Sequence, residues 1–176
     1  MNVVAGAPSL EHLRLRPAGR ADLPTLVALR RAVGWGSGGL EGSLGAAAAG
    51  RQAIVLADLD GIPVGAVTVA LHAGLPPGRA HVSDLLVSPL WRRRGVGTAL
   101  LQAAEEEARG RGLRECTLDV DAGNAAALEL YRRAGYVHYR PAQFPWGPGY
   151  TLRKVLGAAP PAARFGLLGR LHWRLR

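Results

Sequence analysis

One cysteine, one lysine and no long apolar run set the first limits on this chain. Cys116 alone excludes a disulfide framework and a thiolate zinc cluster within one chain, and no metal is expected. No stretch approaches the ~20 apolar residues a spanning helix needs, so no transmembrane segment is expected. Nothing near Met1 joins a basic start to an apolar run. No signal peptide is therefore expected, and the cytoplasm is the expected location. With Lys154 as the single lysine, arginine supplies 21 of the 22 basic residues. Beside 24 glycines, 12 prolines and many alanines, that excess reflects composition bias as much as selection for a polyanion.

What is present points to one globular domain. The 176 residues are 48% hydrophobic and 20% charged, enough to bury a full core without staples. The net charge of +9 favours anionic partners, such as nucleic acid, anionic lipid or a phosphorylated cofactor. No nucleic-acid-binding motif accompanies the charge, so no specific nucleic-acid partner is expected. Arg164, Arg170, Arg174 and Arg176 lie in an acid-free tail. The expected organisation is a domain over 1–156 followed by a basic tail over 157–176.

Periodicity orders the elements. His12 to Arg16 alternates and stops at Pro17, a first strand. Asp22 is placed to cap a helix with Pro24 in its first turn and Arg30 and Arg31 near its end. Gly34 to Gly50 holds seven glycines and reads either as a loop or as a loop plus a short helix over Leu44 to Ala49. Ala53–Leu59 and Val64–Leu71 are strands joined at Asp60-Gly61, a hairpin signal. A turn at Gly74–Gly78 leads to a strand over His81–Ser88 that Pro89 stops. Gly95 to Arg109 has helical spacing, with Val96, Leu100, Ala104 and Ala108 on one side and Glu105 to Glu107 read as solvated. Leu113–Val120 is a strand, and Asn124 opens a helix that Gly135 closes. Tyr136–Tyr139 is strand-like, Pro141–Gly149 a loop and Tyr150–Leu156 the last strand. Strands alternate with helices but hairpins also occur, which predicts an α/β fold: a mixed sheet with helices on both faces.

The most informative run joins a strand ending at Pro89 to Arg92-Arg93-Arg94-Gly95-Val96-Gly97-Thr98 at a helix start. Free amides and the positive end of the dipole make such a helix start a cradle for phosphate, and the glycines let phosphate approach the backbone. Leu100 stands where a dinucleotide fingerprint has its third glycine, and no Gly-Lys-Ser/Thr follows, so neither that fingerprint nor a P-loop is present.

Arg92-x-x-Gly95-x-Gly97 resembles the Arg/Gln-x-x-Gly-x-Gly/Ala signature of the GNAT superfamily, the acetyl-CoA-dependent N-acyltransferases. Asn124-x-x-Ala127-x-x-Leu130-Tyr131-x-x-x-Gly135-Tyr136 is similar to the second hallmark of that superfamily, with Tyr136 in place of Phe. The resemblance covers about residues 11 to 156. It implies a mostly antiparallel sheet of six to seven strands whose central strands splay. It also implies acetyl-CoA as cosubstrate and direct transfer of the acetyl group to a primary amine, on a small molecule or a peptide N-terminus. The alternative is a catalytically degenerate member that binds CoA as a sensor or interaction module.

The resemblance also implies roles for single residues. Main-chain groups of Leu85, Leu86 and Val87 would pair with the pantetheine arm, and amides from Arg92 to Thr98 would hold the pyrophosphate. Asn124 would contact the cofactor arm, cap its helix, or do both. Tyr131 would either protonate the leaving thiolate as general acid or pack in the core. Some relatives carry a glutamate where Ser83 stands here. Asp84 is the nearest acid and the first candidate base, although strand alternation turns it to the face opposite Ser83. His81, Asp119, Asp121 and a water chain are the further candidates. The acceptor pocket would be built by the Gly34–Gly50 and Pro141–Gly149 segments, which offer Trp35, Glu41, Phe144 and Trp146. Phe165, Leu168, Leu171 and Leu175 share one side of the tail if it is helical. Packing on its own domain or against a homodimer mate is preferred there to an anionic membrane surface.

Overall fold

The apolar runs form one seven-stranded sheet in the computed structural model, which describes residues 10–71 and 75–157. The strands are β1 (Leu13–Pro17), β2 (Gln52–Leu59), β3 (Ile62–Ala70), β4 (Arg79–Val87), β5 (Glu115–Asp121), β6 (Val137–Phe144) and β7 (Gly147–Val155). Their order across the sheet is β1-β2-β3-β4-β5-β7-β6. The helices are α1 (Leu23–Ala32), α2 (Leu40–Ala48), α3 (Val96–Gly110) and α4 (Ala125–Arg133). Neighbours pair antiparallel except β4 and β5, and α3 provides the crossover that a parallel pair requires. The Asp60-Gly61 hairpin forms as expected, with φ of +50° and +81° at its two central residues.

The helices cover the sheet from two sides. Leu26 and Leu29 of α1 and Leu40 and Leu44 of α2 pack on Ile54, Leu56, Ala66 and Leu86. Leu100, Leu101, Ala104 and Ala108 of α3 pack on the other face, against Val67, Val82, Cys116 and Leu118. Ala127, Leu128 and Leu130 of α4 join that second cluster. Among the described residues no helix is long and apolar enough to cross a membrane.

Several expectations are corrected. Asp22 stands at the N-cap of α1, but its carboxylate takes Arg16 at 2.7 Å and the Gly19 amide at 2.8 Å rather than the helix amides. The short helix within Gly34–Gly50 is longer than expected, because Leu40 and Leu44, four residues apart, both reach the core. Pro141–Gly149 is no loop: Phe144 pairs with Gly147 across a two-residue turn, so β6 and β7 form a continuous hairpin. Pro141 is tolerated because β6 is an edge strand, where a missing amide need not break a ladder. Glu105 is buried, not solvated. Its carboxylate lies 2.7 Å from Lys154 Nζ and 3.1 Å from Arg109, and these partners offset the cost of burial. The tail positions Phe165 to Leu175 lie outside the described residues.

Candidate active site

The site begins where two strands part. β4 pairs with β5 from Arg79–Glu115 to Val82–Leu118, whereas β5 stays paired with β7 as far as Asp121–Gly149. The cause lies in β4. Its register with β3 slips between Thr68–Ser83 and Ala66–Leu86, and Asp84 takes the extra position at φ +50°. Such a bulge adds twist, which carries Ser83–Val87 away from β5. Aspartate is among the residues that accept this left-handed conformation.

The bulge also corrects the expected direction of Asp84. Ser83 shares the α1 side of the sheet, as the partner of Thr68. Asp84 points to the same side, where its Oδ2 accepts from Arg30 Nη2 of α1 at 3.0 Å. Leu85 and Val87 pack toward α3, while Leu86 packs against α1 and α2.

Beyond the splay, a turn at Pro89–Trp91 leads into α3. Gly95 is the N-cap at φ +89°, and it has no side chain to take the first amides of the helix. Arg93 lies at φ +61°, Arg92 Nε donates to the Val87 carbonyl at 3.2 Å, and Arg94 stacks on the Trp91 ring at 5.2 Å. A Cβ on Gly97 would lie 3.4 Å from Leu130 Cδ2 and 3.7 Å from Val87 Cγ2. The first turn of α3 thus sits against both α4 and the end of β4. Leu85, Leu86 and Val87 are joined through the Pro89–Trp91 turn to Arg92 through Thr98, and Arg92 reaches back to the Val87 carbonyl. The chemistry is that of an anion cradle: uncapped amides, a helix dipole and three neighbouring arginines. These groups fit the pyrophosphate of a CoA ester.

Across the splay, Asn124 Oδ1 accepts from the Ala127 amide at 3.1 Å, the N-cap of α4. Tyr131 is 8% exposed and lies 6.0 Å, ring to ring, from Tyr136. Burial pushes its phenol up to about 12, so the hydroxyl keeps its proton at neutral pH.

The α1 side of the splay carries the other polar groups. His81 Nδ1 lies 3.2 Å from Thr117 Oγ1, and His81 Nε2 lies 3.9 Å from Asp119 Oδ2. Thr151 Oγ1 donates to Asp119 Oδ1 at 2.6 Å. Asp121 instead accepts from the Gly123 amide and shapes a turn. Trp35 is 44% exposed beside Arg30, and Trp146, at the β6–β7 turn, stacks on Phe144 at 5.4 Å. Glu41 lines a cavity of about 290 Å³ with Leu23 and Val27, and none of the lining residues belongs to β4 or β5. Sequence reasoning did not find Arg30, Thr117 or Thr151. Each acts through a partner distant in the chain and carries no local signal.

Comparison with known proteins follows the same lines. The profile of the "Acetyltransferase (GNAT) family" matches residues 30–136. A streptothricin acetyltransferase of Streptomyces lavendulae is 35% identical over 101 residues, 57% of this chain and 52% of that protein. The chain spans about half or less of the length of the curated relatives it matches. The crystal structure of the ribosomal-protein-S18-alanine N-acetyltransferase from Escherichia coli superposes with a TM-score of 0.69 at 20% identity, over 87% of this chain and 99% of that one. A PaiA N-acetyltransferase from Thermoplasma acidophilum, determined in complex with coenzyme A, superposes with a TM-score of 0.68 at 17% identity, over 82% and 99%. The splayed mixed sheet with its glycine-capped helix start thus has the fold of an acyltransferase. The chain belongs to the GNAT acetyltransferase family.

Proposed function

We propose that the chain transfers an acetyl group from acetyl-CoA to a primary amine by direct attack. The observation that carries this reading is the opening of β4 from β5 immediately before the uncapped, glycine-led start of α3. One feature offers main-chain groups to an extended amide-bearing arm; the other offers amides and positive charge to a diphosphate. Acetyl-CoA supplies the activated acyl group as a thioester. The residues present can bind and orient it. Main-chain groups of Leu85, Leu86 and Val87 align the arm, Arg92 through Thr98 hold the phosphates, and Asn124 and Tyr131 border the sulfur end from α4. Amides of the parted strand polarise the acetyl carbonyl. Tyr131, protonated at neutral pH, donates to the departing sulfur.

The acceptor must attack as a neutral amine, because an alkylammonium, with a pKa of about 10.4, has no free pair. The α1 side of the sheet, with Trp35 and the Phe144–Trp146 stack, is the entrance assigned to it. Aromatic faces suit a ring-bearing or cationic acceptor. Calorimetric titration with acetyl-CoA tests the first half, with micromolar binding expected. A thiol-release assay over small amines and peptide N-termini tests the second. Binding without release for any amine would favour a CoA-binding module over an enzyme.

A further inference from the structure

We propose that the ammonium group of the acceptor docks between His81 Nε2 and Asp119 Oδ2, with His81 as the base and Asp119 as the residue that positions it. The assignment rests on the acetyl-transfer reading above.

Hydrogen bonds on this face determine which imidazole nitrogen carries the proton. Thr117 Oγ1 donates its single proton to the Ala80 carbonyl at 3.1 Å. Toward His81 Nδ1, at 3.2 Å, it can therefore act only as an acceptor. Nδ1 holds the ring proton and Nε2 presents its lone pair. That lone pair faces Asp119 Oδ2 at 3.9 Å. Asp119 is anchored through its other oxygen by Thr151 at 2.6 Å, and both threonines are buried in the sheet. Two acceptors facing each other cannot bond. A donor with several N–H groups can sit ~2.8 Å from each, and an alkylammonium is such a donor. The pair is open enough to receive it, with 28% of the His81 side chain and 41% of the Asp119 side chain exposed.

The surrounding charges single out this pair. Glu115 of β5 is held by Arg79 of β4 at 2.8 Å and lies 3.6 Å from Arg153 of β7. Asp84 is held by Arg30 of α1 at 3.0 Å, and Asp121 serves its own turn. Arg140 of β6 stands opposite Thr151 in the register. Asp119 makes no arginine ion pair among the described residues. Burial lowers the pKa of His81 from its usual range, and the Asp119 charge raises it by less. The ring is therefore neutral at pH 7.

The proton balance is simple. The ammonium gives one proton to Nε2, and its freed pair forms the C–N bond as the C–S bond breaks. The second nitrogen proton ends on the sulfur through Tyr131 or water. The imidazolium, facing Asp119, returns the first proton to solvent.

The test uses the full chain, acetyl-CoA, and two probes: benzylamine and an alanine-first tripeptide. Gln at position 81 can still donate to Thr117 but has no basic nitrogen. H81Q should lower kcat by about 10²-fold or more, remove the acidic limb of the kcat/KM–pH profile and leave acetyl-CoA affinity unchanged. D119N keeps the Thr151 bond but loses the charge. It should move the acidic limb to lower pH and raise KM for the amine. Nitrogen-15 NMR of the wild type should report the Nδ1–H tautomer, assigned by its loss in H81Q. Wild-type turnover with H81Q matching it in kcat and pH profile overturns the proposal, as does an Nε2–H tautomer. Turnover of neither probe by the wild type overturns the acetyl-transfer reading, and this assignment with it.

Discussion

In the proposed mechanism Tyr131 has two roles in one side chain. It packs in the core on the α4 side of the sheet, and the burial that makes it a core residue also keeps its phenol protonated. Y131F removes the proton donor and keeps the ring. If the phenol serves the leaving sulfur, kcat should fall about 10²-fold while acetyl-CoA affinity stays near that of the wild type, as calorimetry beside the thiol-release assay would show. Unchanged kcat would leave Tyr131 as a packing residue. His81 belongs to the same scale. Because burial lowers its pKa, its base form predominates at neutral pH, and with His81 as the base activity should fall as pH drops through a value below 6.5. The residue types at both positions were legible in the sequence. The environments that set their protonation were not, since burial comes from elements that the positions do not name.

Among the elements, the start of α3 was the most legible. Gly95 at φ +89° and the side-chain-free cap follow from the local residue pattern, and neighbouring strands add little to them. Gly97 has room for a Cβ in ordinary contact with Leu130 and Val87. G97D should therefore fold, yet place a negative charge in the anion cradle. Loss of acetyl-CoA binding by calorimetry with an unchanged melting temperature is the expected result. The β6–β7 hairpin was less legible, because Pro141, Pro145 and Pro148 look like a loop when the edge position is unknown. Gly149 holds that hairpin to β5: a Cβ there would collide with the Val120 carbonyl and the Phe144 ring. G149A should cost about 2 kcal/mol, seen as a lower melting temperature. It should also disturb the Phe144–Trp146 stack at the proposed acceptor entrance.

At the scale of the whole molecule, Glu105, Lys154 and Arg109 tie α3 to β7 through the interior. Lys154, the single lysine, lies within 2.8 Å of both Glu105 oxygens. K154M should destabilise the fold by about 3 kcal/mol, measurable by denaturant unfolding, because it strands much of a buried charge. A loss below about 0.5 kcal/mol would mean that Arg109 satisfies Glu105 alone.

The sequence by itself determined the order of strands and helices, the Asp60-Gly61 hairpin, the glycine-led start of α3 and the Asn124 cap. These depend on alternation, backbone freedom and capping, which act over a few residues. Only the tertiary structure decided that Asp84 turns to Arg30, that Glu105 is buried, and that His81 meets Thr117 from 36 residues away. A one-residue bulge reverses the face that alternation assigns, and a parallel pairing brings together groups separated by a whole helix.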